Sequence, residues 1–142
     1  MRIEIDSSEF EQMLSRFGER AVEAAQLALQ DCADDLERTA ADTVPIDKGT
    51  LTRSSYQEKT QNGDGLKITV EFAVRENGFN YAIYMHEATY ELGEQSRARN
   101  GGVGMSGKRY DVGRKYLERV ANGEKQTYIN HITNMVRSAA GV

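Results

Sequence analysis

The sequence is poor in several residue types, and each shortage excludes something. It has one cysteine, one proline, no tryptophan and two histidines in 142 residues. A lone thiol, Cys32, makes no internal disulfide, which fits a reducing compartment or a particle assembled inside a cell. On an apolar helical face it reads as a small core residue. No apolar run approaches the roughly 20 residues that a membrane helix needs. The opening MRIEIDSSEF is charged and alternating, unlike a secretory signal. What is present suits a folded domain: 39% of residues are hydrophobic and 28% charged, above the range of disordered chains in the first and without excess in the second. The length predicts a single domain over 1–142.

Charge is unevenly spread. Residues 1–94 hold 9 Lys/Arg against 19 Asp/Glu, a net −10, whereas residues 95–142 hold 9 against 3, a net +6. Such a split marks surfaces suited to partners of opposite sign.

The pattern of apolar residues predicts an α+β fold. MRIEI alternates as a short strand. Asp6 with Glu9, and Ile5 with Phe10, are placed as a capping box and a hydrophobic staple. Apolar residues then recur at helical spacing from Phe10 to Ala40, with Gly18 marking a bend or a split into two helices. The lone Pro45 ends this helix and pushes Val44 into extended geometry. Asp47 and Gly49 complete a stop-and-turn device through an Asx-turn and a residue free to take positive φ. Strands are expected over 51–60, 66–74 and 80–87, with QNGDG as a hairpin turn between the first two. LKITVEFAV alternates cleanly, and Ile68, Val70 and Phe72 are expected to pack on Ala25, Ala28 and Leu36 of the helix. Residues 90–113, with five glycines between 101 and 113 and no period, read as a long mobile loop. A C-terminal helix follows, with a candidate break at Ala121–Gly123. The expected architecture is a long N-terminal helix on an antiparallel sheet of three to four strands, a long Gly-rich loop and a C-terminal helix.

Three constellations bear on chemistry. GVGMSGKR imitates a phosphate-binding loop, but Arg109 stands where Mg²⁺ needs a hydroxyl, and no apolar strand precedes it. His86 and Glu87 are candidate metal ligands or a general-base pair, but neighbours on a strand face opposite ways, and a third convergent ligand is missing. Arg97, Arg99, Lys108, Arg109, Arg114 and Lys115, interleaved with Tyr110 and Tyr116, form a basic run able to meet phosphates. Against that stands an overall pI of about 5.3.

Three segments, VPIDKGTLTRSS, YAIYMHE and GRKYLERVA, stand in this order, the last just after the Gly-rich loop. Together they resemble the head–tail connector or tail-completion proteins of long-tailed bacteriophages, also labelled minor capsid or neck proteins. The matching positions are Pro45, Asp47, Gly49 and Leu51; then Tyr81, Ala82, Tyr84, His86 and Glu87; then Lys115, Tyr116, Leu117 and Glu118. Ser55 departs from the pattern, being polar where a strand residue should be apolar, and Val120 followed by Ala121 departs at the final position. The resemblance implies an α+β fold and a homo-oligomeric ring at the neck of the virion, assembled in the host cytoplasm. It implies neighbouring neck, connector and tail-tube proteins as partners, genome DNA as a further candidate in the channel, no membrane, no enzyme activity and no cofactor. The charge split adds an expectation about contacts. Arg97, Arg99, Lys108 and Arg109 of one subunit are expected to dock on Asp31, Asp34, Asp35 and Glu37 of the next, with the loop ordering as it docks. Two competing readings are a small nucleic-acid-binding protein using the basic loop 97–115, and a metal-dependent hydrolase around His86 and Glu87.

Overall fold

The computed structural model describes residues 1–6, 11, 18–46, 50–62, 65–76 and 78–141. Strand β1 (Arg2–Asp6) comes first, followed by helix α1 (Glu19–Thr43). A short 3-10 turn (Thr52–Ser54) leads into the hairpin of β2 (Ser55–Asn62) and β3 (Gly65–Phe72). The two-residue ladder β4 (Arg75–Glu76) and β5 (Phe79–Asn80) introduces α2 (Tyr81–Glu87). Next come α3 (Glu94–Arg97), the ladder β6 (Gly102–Val103) and β7 (Arg109–Tyr110), and α4 (Tyr116–Ala140). The class is α+β, as expected.

The main sheet has the order β1-β3-β2, all antiparallel. Its centre is the cleanly alternating segment, with Ile3 opposite Val70 and Ile5 opposite Ile68. That puts one apolar face on Leu29, Cys32, Ala33, Leu36 and Ala40 of α1, with Tyr116, Leu117 and Val120 of α4 completing the core. Each large side chain buried there contributes roughly 1.5–3 kcal/mol. Ala25 does not serve this sheet. It sits with Ala21 and Val136 in a smaller cluster, because α1 and α4 run antiparallel and their far ends pass beyond the strands. β2 pairs its inward positions Ser55, Gln57 and Lys59 with Phe72, Val70 and Ile68. Those polar residues are tolerated because β2 is an edge strand that α1 only partly covers.

α1 begins after Gly18, whose φ of 92° is closed to most residues. Val44 is extended (φ −67°, ψ 133°), as the following Pro45 requires. Carbonyls at the end of α1, which lack helical partners, find others: Val44 N donates to Ala40 O at 3.1 Å, Gly113 N to Thr43 O at 3.1 Å, and the Arg99 guanidinium to Ala41 O and to Val44 O just beyond. Asp47 and Gly49 of the predicted turn lie outside the described residues, as do the staple and capping box built on Glu9 and Phe10.

Two expectations are corrected. Residues 81–87 form a helix and not a strand: Asn80 Oδ1 accepts from Ile83 N at 3.2 Å and caps its start, and the two buried residues, Ala82 and His86, are four apart. Aromatic and β-branched residues mimic a strand here, but burial follows the helical period. The third strand is instead β1. Residues 90–113 are not structureless either, since they hold α3 and the β6–β7 ladder. Their glycines serve close approach. A Cβ on Gly102 would lie 2.4 Å from Thr39 O, and one on Gly104 would lie 2.3 Å from Glu124 Oε1. Gly123 has the same role inside α4, which runs unbroken, because a Cβ there would meet the Tyr110 hydroxyl at 2.1 Å.

Candidate functional site

The segment 94–115 and the face of α1 it meets hold most of the residues that the sequence singles out. Gly104–Lys108 turns between β6 and β7. Gly104 N donates to Lys108 O, Met105 N to Asp35 Oδ2, Ser106 N to Glu124 Oε1, Gly107 N to Gly104 O and Lys108 N to Ser106 Oγ. The five amides from Gly104 to Lys108 are therefore all occupied, two of them by the chain's own carboxylates. The phosphate-loop imitation is a loop that grips Asp35 and Glu124.

Glu124 is fully buried, and it also accepts from the Tyr110 hydroxyl at 2.8 Å and from the Ser106 hydroxyl. Asp35 accepts from the Tyr128 hydroxyl at 2.8 Å, Met105 N at 3.0 Å and Arg38 Nη2 at 2.7 Å. Burial and then the bonded carboxylate push both tyrosines above their ordinary range. The Cys32 thiol is pushed up to about 12, chiefly by burial, so it stays a protonated core group.

The predicted interface residues divide into two sets. Asp35 and Arg99 work inside the subunit, the first as the loop anchor and the second as the C-terminal cap of α1. Arg97, Lys108 and Arg109 are exposed; Lys108 lies 5.5 Å over the Tyr110 ring and Arg109 donates to Asn100 O at 2.9 Å. Asp34 and Glu37 meet β2 through Gln57 Nε2, at 2.8 and 2.6 Å, on a different side of α1 from the one that Met105 occupies. Asp31 lies 2.8 Å from His131 Nε2. Among the described residues no ion pair joins Arg97, Arg99, Lys108 or Arg109 to these carboxylates; Arg38 of α1 itself pairs Asp35 and donates to Val103 O at 3.1 Å.

His86 and Glu87 do share a site, contrary to the strand reading, because α2 is a helix: Nδ1 lies 2.9 Å from Glu87 Oε1. Lys115 closes the cluster on Glu87 and lies 3.4 Å from Glu118. That lysine hydrogen bond, then the histidine one, holds the Glu87 carboxyl below its ordinary range. Among the described residues no three His, Cys, Asp or Glu are grouped to hold a metal. Sequence reasoning missed one surface, the exposed Phe79, Ile83 and Tyr84, in which the Phe79 and Tyr84 rings are 5.6 Å apart. The four-residue step from Phe79 to Ile83 was its signal.

The fold is an α+β one: a pair of antiparallel helices on a small sheet, with the 104–108 loop held by internal carboxylates. The chain matches the HK97-gp10-like family, described as a bacteriophage tail component, over residues 8–86, and it belongs to that family. It is therefore a phage tail-associated structural protein, placed in the virion among other phage structural proteins. The match covers the first motif segment and the second as far as His86, and the third, Lys115–Glu118, packs on the second. Neither the curated proteins nor the solved structures include a match to the chain. Among the described residues no helix is long and apolar enough to cross a membrane.

Proposed function

We propose that the chain is the subunit of a homo-oligomeric ring at the phage neck that joins the head or connector to the tail, in the role of tail completion. The work is assembly, with no catalytic step and no cofactor. The observation that carries this reading, within the family, is the separation of opposite charges that form no ion pair with one another: Arg97, Lys108 and Arg109 on the 94–115 segment, and Asp31, Asp34 and Glu37 elsewhere on α1, where their own-chain partners are His131 and Gln57. Two different complementary patches suit a heterologous contact, the kind that closes a ring when the rotation allows. Exposed pairs contribute only about 0–1 kcal/mol each, so they set direction while apolar surface supplies affinity. Phe79, Ile83 and Tyr84 are a cluster of exposed side chains that fits this role.

Sedimentation velocity and negative-stain microscopy test the reading. Wild type should form rings at high concentration or on its neighbouring neck protein. Arg97→Glu with Lys108→Glu should weaken them, and Asp31→Lys with Asp34→Lys in the same chain should restore them in part. A charge-reversed chain that assembles as wild type does refutes the contact. Salt-dependent binding of duplex DNA by a protein that never forms rings would favour the nucleic-acid reading of the same cations instead.

A further inference from the structure

We propose that His86 is a pH-sensitive latch: neutral, it holds α2 on the first turn of α4, and in mild acid it releases α2 while the helix–sheet core stays folded. The imidazole is fully buried, edge-on to the Tyr116 ring at 4.9 Å between centroids. Its two nitrogens have different work. Glu118 N–H, one of the first amides of α4 and without a partner in its own helix, donates to Nε2 at 3.3 Å. The residue at the N-cap is Lys115, held left-handed at φ 56°, and it supplies no side-chain cap. A lysine has no acceptor to offer, so an imidazole from another helix caps α4 in its place. Nε2 accepts only if it carries no proton, which puts the ring hydrogen on Nδ1, where Glu87 Oε1 receives it at 2.9 Å.

The other ties between α2 and this turn do not involve the imidazole. Lys115 N donates to His86 O at 2.7 Å, the Tyr116 hydroxyl to Ala82 O at 2.8 Å, and Arg114 Nη2 to Glu87 O at 2.9 Å. A proton on Nε2 turns the acceptor into a donor facing an N–H. It also places a cation at the positive end of a 25-residue helix. The charges around the ring are Glu87 on α2, Lys115 and Glu118 on α4, and Arg114 just before it, while Tyr116 packs against Phe72 of β3 on the apolar side. Glu87 and Glu118 favour the imidazolium, and Lys115 and burial oppose it. Burial is the largest influence, and the net effect is to hold the ring below its ordinary 6.5. A released His86 therefore takes up a proton before a docked one does. The docked state is fully favoured above about 6.5 and loses ground as pH falls through that value.

Hydrogen exchange of the intact chain at about pH 7.5 and about pH 5, corrected for intrinsic rates, tests the latch. Wild type should lose protection in acid at residues 81–87 and 115–118, by up to about tenfold per pH unit, while β3 keeps its protection. His86→Gln, which offers an acceptor without a titrating proton, should show the same protection at both pH values. Unchanged protection in wild type refutes the latch, and so does an equal acid loss in His86→Gln, which would assign the effect to a carboxylate. If that variant does not fold, the His86 ring resonances of wild type decide. They should titrate below 6.5 together with the Glu118 amide. A midpoint at or above that value, or a Glu118 amide that does not move, overturns the proposal.

Discussion

Gly102→Ala separates two roles for the glycines of the 101–113 segment, freedom of movement and room for close packing. The added Cβ would lie 2.4 Å from Thr39 O and 3.0 Å from both Thr39 Cγ2 and Thr43 Oγ1. Thr39 O belongs to the interior of a 25-residue helix and cannot retreat. The β6–β7 ladder must lift instead, straining the bonds from Met105 N to Asp35 and from Ser106 N to Glu124. Overpacking of this kind costs about 1–3 kcal/mol. For a chain of this length, 2 kcal/mol lowers Tm by roughly 4–8 °C. Two other glycines are controls with open space around them. Gly93 has φ −69°, so alanine there should be neutral or stabilise by about 0.4–1 kcal/mol. Gly107 has φ 86°, so alanine there should cost about 1–2 kcal/mol through the backbone alone. Calorimetric melting of the three variants measures the order. If Gly102→Ala melts with wild type, the ladder does not seat on α1 as described, and the glycine is there for mobility.

Val70→Asp puts a carboxylate on the fully buried face of the central strand, and it should cost several kcal/mol by urea titration, because no partner awaits the charge. Tyr110→Phe removes one donor from buried Glu124 and should destabilise by about 1–2 kcal/mol, with exchange at Gly104–Lys108 rising first. Arg99→Ala strips the cap from Val44 O and Ala41 O and should lower stability by about 1–2 kcal/mol, whereas Arg97→Ala on the exposed end of α3 should leave the melting curve unmoved. The reverse order for this arginine pair would show that Arg99 is a surface cation, as the sequence reading had it.

The elements that a period or a stop residue writes into neighbouring positions were legible in the sequence alone: the alternation of β1 and β3, the Ala-rich face of α1, its end before Pro45, and the run of α4. Each depends on contacts within a few residues, or on a face that any core would bury. Residues 80–87 were misread because Tyr81, Ile83, Tyr84 and Met85 can be placed on either period, and only the Asn80 cap and the burial of His86 between α2 and α4 decide between them. The glycines at 102, 104 and 123 read as looseness because a missing side chain is the same letter whether it frees a backbone or admits a neighbour. Which of the two applies depends on Thr39, Glu124 and Tyr110, between 13 and 63 positions away along the chain. Charge behaved likewise. Composition counts the cations and carboxylates, but burial and distance alone turned Asp35 and Arg99 inward, tied Asp34 and Glu37 to Gln57 of β2, and left Arg97 exposed.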